Sequence, residues 1–85
     1  MKNPNRFTFK RLRSQIPMYD TTLIKYGGRE VGTIRRCGRY YEAFIGPRGG
    51  AKVLSGCGSE DQARVVLNAR FAELVEKYQL QENHE

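Results

Sequence analysis

Arg35, Arg36 and Arg39 bracket the Cys37-Gly38 pair in the stretch IRRCGRYYEAF, residues 34–44, and run directly into Tyr40 and Tyr41. Guanidinium groups make paired, charge-assisted hydrogen bonds to phosphate, and aromatic rings stack on nucleobases. The chemistry on offer is recognition of a polyanion. A second basic-aromatic mixture opens the chain, where Arg6, Lys10, Arg11 and Arg13 surround Phe7 and Phe9. Arg29, which follows Gly27-Gly28, and Arg48, inside GPRGG (46–50), are cations flanked by glycine. There the backbone itself can approach a phosphate closely. GPRGG does not match the phosphate-binding loop G-x-x-x-x-G-K-[ST], and a plain glycine loop between strands is the simpler reading.

Other chemistries find little support. The only histidine, His84, lies in the last two residues, a poor position for a general base. Cys37 lies beside arginines, but no basic partner is evident for it, so the chain is not expected to be an enzyme. Cys37 and Cys57, nineteen residues apart in between, lack the close paired spacing of a zinc site. No metal or other cofactor is expected. The two thiols read as ordinary half-buried cysteines, kept reduced inside a cell even if they approach one another.

At 85 residues the chain has room for one domain. Such a chain buries only about 60–65% of its unfolded surface, so its core is small. No apolar run approaches the roughly 18–20 residues of a membrane span. MKNPNRFTFKRLR has charge but no apolar segment of the secretory kind. A cytoplasmic location, in a bacterial host cell, is the expectation. The net charge of +6 conceals an asymmetry. Residues 1–52 hold twelve Lys/Arg against three acids, a balance of +9, and residues 53–85 hold three against six, a balance of −3. A basic half beside an acidic half is a cue for a polyanion partner. A basic sheet paired with an acidic helix of the same domain would produce the same asymmetry.

The elements that must position these residues follow from pattern. RFTFKRLR (6–13) alternates in part, with Phe7 and Phe9 on one side, and reads as an edge strand or as an arm docked by its two rings. Pro17 makes SQIPMYD a connector. TTLIKY (21–26) is β-branched and aromatic, hence a strand, and Gly27-Gly28 a tight turn. REVGTIRR (29–36) returns, with Gly32 a bulge or a point of close approach. RYYEAFI (39–45) alternates Tyr41, Ala43 and Ile45 toward the core with Tyr40, Glu42 and Phe44 on the other side. AKVLS (51–55) is a short further strand. Ser59 and Gln62 form a capping box, Glu60 and Asp61 suit the helix dipole, and Ala63, Val66, Leu67, Phe71, Leu74, Val75 and Tyr78 draw an apolar stripe over a helix at about 59–79. The fold class is therefore α+β: a three- to four-stranded antiparallel sheet with one long C-terminal helix packed on one face. Residues 1–20 are a basic arm or edge strand, 21–80 the sheet-plus-helix domain and 81–85 a frayed tail.

This arrangement gathers Arg35, Arg36, Arg39, both cysteines and the helix start at one end of the sheet. An anion held there by arginines and free backbone N–H groups competes with neutralisation of the same arginines by Glu60 and Asp61.

From Gly28 to Leu74, three short strands and then a helix opening S-E-D-Q-A, the sequence resembles the small DNA-binding domains of phage integrases and AP2-type factors. In that family the sheet lies in the major groove and the helix braces it from behind. The resemblance covers about half the chain and implies that arginines on 29–36 and 39–45 face the groove. The chain departs from it by the candidate strand 21–26 and the basic arm. The same strand-strand-strand-helix order is similar to the second part of double-stranded RNA-binding domains. Their lysine cluster at the helix start is replaced here by Glu60-Asp61-Gln62.

Two functions remain open. One is a small non-catalytic nucleic-acid-binding accessory protein, phage or mobile-element encoded, taking duplex DNA by preference. The other is a phage-type inhibitor that blocks a host protein complex through its sheet surface. A homodimer through an open sheet edge is compatible with either.

Overall fold

The computed structural model describes residues 6–12, 21–46 and 50–80. Arg13, Arg48, the Pro17 connector, most of the GPRGG loop and both chain ends lie outside the described residues.

Five strands, β1 (Thr8–Leu12), β2 (Thr21–Tyr26), β3 (Arg29–Cys37), β4 (Tyr40–Ile45) and β5 (Ala51–Cys57), form one antiparallel sheet in the order β1-β2-β3-β4-β5. Two helices follow, α1 (Glu60–Ala69) and α2 (Phe71–Lys77). The fold class is α+β as expected, but the expectation of three or four strands and one long helix is corrected on both counts.

The extra strand is β1. Its alternation places Phe9 opposite Ile24 and Arg11 opposite Thr22, while Lys10 falls opposite Leu23. Phe7, just before it, is 3% exposed and packs its ring edge-on against Phe71, 4.9 Å between centroids, and against Tyr26 at 6.4 Å. The Phe7 N–H donates to Asn68 Oδ1 at 2.7 Å, which ties the strand to α1. Burial of a whole aromatic ring, worth about 1.5–3 kcal/mol, is what makes this segment a strand of the sheet.

The helix is interrupted at Arg70, whose backbone (φ −103°, ψ 18°) leaves the helical region. Its N–H is shared between the carbonyls of Val66 and Leu67, and its own carbonyl accepts from Leu74 N–H, so the chain bends without losing the ladder. Leu67 and Leu74 are both fully buried on either side of the bend. A sheet twists by about 20–25° from strand to strand, and a bend between these two anchors lets both reach its surface. The Arg70 side chain holds the bend in place, donating Nη1 to the Val53 carbonyl of β5 at 2.9 Å and Nη2 to Glu73 at 2.7 Å.

Gly27 and Gly28 both have positive φ (60° and 84°) in the β2–β3 turn, the requirement of a two-residue hairpin whose twist matches its strands. The β3–β4 turn is Gly38-Arg39, one residue later than Cys37-Gly38, because Cys37 pairs with Tyr40. Val31 is the extra residue of a bulge, since Ile24 faces Gly32 while Lys25 faces Glu30.

Register divides the sheet into two faces. Rows of facing residues under the helices read Phe9, Ile24, Gly32, Ile45, Ala51 and Arg11, Thr22, Ile34, Ala43, Leu54. Ile24, Ile34, Ala43 and Ile45 are all buried there, with Ala63, Leu67 and Leu74 from the helices. Among the described residues no helix or strand covers the second face.

Candidate nucleic-acid interface

The row that crosses the open face reads Lys10, Leu23, Thr33, Phe44, Lys52, one residue from each strand. Cations stand at its two ends and an aromatic ring lies within it. A neighbouring row places Leu12, Thr21, Arg35 and Glu42 side by side. The Arg35 guanidinium carbon lies 5.2 Å from the centre of the Phe44 ring, a cation-π contact that sets both side chains upright on the face. Tyr40, also on β4, is 56% exposed. Glu42 stands between the two rings and is paired with Lys52 at 3.0 Å.

The expected arginine cluster is distributed more widely than its spacing suggests. Arg35 and Arg36 are consecutive strand residues and therefore project to opposite faces. Arg36 lies opposite Tyr41, on the helix side, and its Nε donates to the Gly38 carbonyl at 3.1 Å. Arg39 sits at the exposed tip of the β3–β4 turn. The three guanidinium groups thus form an arc around one end of the sheet, from the open face over the turn. Arg29 is exposed at the opposite end, in a shallow cleft with Glu30, Tyr78 and Leu80. Arg6 is exposed just ahead of β1, and Lys10 lies on the open face. Arg11 projects to the helix side, where Glu60 holds it at 3.1 Å.

Carboxylates decide which of these cations are available. Glu60 accepts from the Thr22 hydroxyl at 2.7 Å, from Arg64 and from Arg11. Burial pushes its carboxyl up, but the Thr22 and Arg11 hydrogen bonds and the charges of Arg64 and Arg11 outweigh this and leave it below the ordinary value. Glu73 is engaged by Arg70 and Glu42 by Lys52. Among the described residues, no carboxylate forms an ion pair with Arg35, Arg36 or Arg39. Internal neutralisation of the basic half falls on Arg11 and Lys52, while Arg64 and Arg70 pair with acids of their own half.

The helix start carries its own side-chain cap. Gln62 N–H donates to Ser59 Oγ at 3.1 Å, Ala63 N–H to the Ser59 carbonyl at 3.2 Å, and Gly58 N–H to Gln62 Oε1 at 3.2 Å. The Gln62 N–H is thereby used within the cap, and Glu60 and Asp61 place negative charge in the same turn. Cys57 is buried close by, whereas Cys37 is exposed, and both are free thiols.

Lys25 and Lys52 extend the open face beyond the candidates chosen from sequence, and Phe44 lies on the side that its alternation implied. Alternation in TTLIKY was the available signal for Lys25, since it opposes the buried Ile24. Lys52 becomes visible only when β5 is aligned against β4, which its irregular register obscures. No group of three or more His, Cys, Asp or Glu suited to a metal ion occurs among the described residues. No helix among them is long and apolar enough to cross a membrane.

Comparison with protein-family models, with curated proteins and with solved structures returns no match.

Proposed function

We propose that this protein is a small, non-catalytic nucleic-acid-binding accessory protein. Its binding surface is the open sheet face together with the β3–β4 turn. One observation carries the reading: among the described residues Arg35, Arg36 and Arg39 form no ion pair, although Arg35 lies across from Glu42, which is engaged by Lys52. A guanidinium without an internal counterion keeps its full attraction for phosphate, and each phosphate neutralised releases a counterion to solution. Tyr40 adds a face on which a base can stack, and Arg35 stands over the ring of Phe44.

The test is equilibrium binding of mixed DNA and RNA probes from about 50 mM salt upward. The protein binds at the low end and loses affinity as salt rises, and the Arg35→Ala/Arg36→Ala/Arg39→Ala triple variant binds several-fold more weakly while folding normally. Absence of binding to every probe at low salt removes the proposal.

A second reading, a protein-binding inhibitor using the same surface, draws on the exposure of Tyr40 (56%) and Leu12 (43%) beside the cations. A stoichiometric protein partner that survives nuclease treatment would favour it.

A further inference from the structure

We infer that the open face takes a single-stranded nucleic acid in preference to a duplex. The inference rests on the nucleic-acid reading above and names the class of ligand for that surface.

Width is the first argument. A three-stranded sheet spans about 10 Å between its outer strands, and five strands span about 19 Å. The major groove of duplex DNA is about 12 Å wide. A sheet of the narrower kind fits the groove. Here β1 and β2 continue the same surface, carrying Lys10 and Leu23 in register with Thr33, Phe44 and Lys52. The cations at the two ends of that row belong to strands that the groove cannot admit together. A single strand laid on the sheet has no such limit.

The second argument is the character of the surface. Lys10, Lys25, Arg35 and Lys52 share the open side by register with Glu30 and Glu42. Six charges of mixed sign leave a small positive excess, and Lys52 is already engaged by Glu42. Such a face suits a ligand that supplies binding through its bases more than one held through many phosphates. Tyr40 and Phe44 lie four residues apart on β4, about 13 Å along the strand. Arg35 on β3 stands over the Phe44 ring, and Lys52 on β5 lies across from it. Glu42 stands between the two rings and Arg35 covers a face of Phe44, so Tyr40 is the ring left open to a base. Bases stack on such rings only when their faces are free, and in a duplex those faces are covered by their neighbours.

The experiment measures fluorescence anisotropy of fluorescein-labelled 12-nucleotide oligothymidine, oligouridine and a 12-base-pair DNA duplex against the full chain, with poly-L-glutamate as competitor. Both single strands are expected to bind at least ~10-fold more tightly than the duplex. The slope of log K on log salt should be no steeper than about −2, consistent with two or three phosphate contacts on a single strand. Tyr40→Ala should weaken single-strand binding by about fivefold or more, and Tyr40→Phe, which keeps the ring, should retain it. Tyr40 is exposed, so both variants keep the fold, which a thermal melt verifies. Tighter binding to the duplex overturns this inference and leaves the nucleic-acid reading intact. Equal loss in Tyr40→Ala and Tyr40→Phe also overturns it. Failure of all three probes removes both readings. Displacement of the single strand by equimolar poly-L-glutamate charge assigns the face to acidic protein and overturns it too.

Discussion

The Thr22 hydroxyl donates to the Glu60 carboxylate at 2.7 Å, joining the start of β2 to the first turn of α1 across 38 positions of sequence. Thr22 is 2% exposed, and its register partners are Arg11 on β1 and Ile34 on β3. The same carboxylate collects Arg11 from the edge strand and Arg64 from the next turn of the helix. One acid thereby fixes where the helix begins over the sheet, and its removal leaves a hydroxyl and two guanidinium groups without their acceptor.

Glu60→Ala is expected to lower stability by about 1.5–3 kcal/mol, the range for hydrogen bonds to a charged group, as read by urea denaturation. The pH dependence has a definite sign. The folded-state carboxyl lies below its ordinary value of 4.5, so the unfolded chain takes up the proton first as pH falls. The contribution of Glu60 is complete above that ordinary value and is lost as pH drops below it through the folded-state value. Glu60→Gln should flatten this acid limb of the stability curve. An unchanged limb would show that Glu60 is not responsible for it.

Arg11 and Arg39 should separate by assay although both are exposed cations of the basic half. Arg11 is bridged to Glu60, so Arg11→Ala should cost about 1 kcal/mol of stability and change nucleic-acid affinity little. Arg39, on the turn tip, should do the reverse: an unchanged melting temperature and a shallower salt dependence of binding. Parallel thermal melts and salt titrations of the two variants check this.

Gly32→Ala should be among the most damaging single-atom-scale changes in the sheet. A Cβ at Gly32 would overlap the Phe44 carbonyl oxygen and come within 3.1 Å of Ile45 Cα, both fixed parts of β4. Overpacking against backbone that cannot yield costs about 3 kcal/mol. Circular dichroism during a denaturant titration would detect the loss, and a neutral result would mean that β3 and β4 separate readily at this point.

Arg70→Ala should loosen the outer edge of β5. Arg70 caps the Val53 carbonyl from the bend between the helices, and the lost charge-assisted hydrogen bond is worth about 1 kcal/mol at this partly exposed position. Hydrogen exchange should rise locally in β5 and at the start of α2, with little change in β2 and β3.

Much of this arrangement was legible from residue type alone. β-branched and aromatic runs marked β2, β3 and β4, the paired glycines marked their first turn, and Ser59 with Gln62 marked the helix start. The side assigned to Tyr41, Ala43 and Ile45 agrees with the packing, and Tyr40 is exposed as its alternation implied. Gly32, read as either bulge or close approach, is a close approach adjoining a bulge at Val31. The interruption at Arg70 was not legible. Arginine is a good helix former, and the contact of its side chain with Val53 that accompanies the break is tertiary, which local sequence does not encode. The interface was legible in composition but not in direction. Consecutive arginines read as one cluster, whereas the pleat sends Arg35 and Arg36 to opposite sides. The pairing of Glu60 with Arg11 in place of Arg35, Arg36 or Arg39 depended on β1 joining the sheet, which two phenylalanines only suggested.

The unequal exposure of the two cysteines has a practical consequence. A maleimide reagent applied to the folded protein meets Cys37 in the open and finds Cys57 enclosed. Cys37 sits opposite Tyr40 at the end of β3. The native chain therefore supplies its own attachment point for an environment-sensitive dye, placed at the rim of the uncovered face with no residue changed to create it.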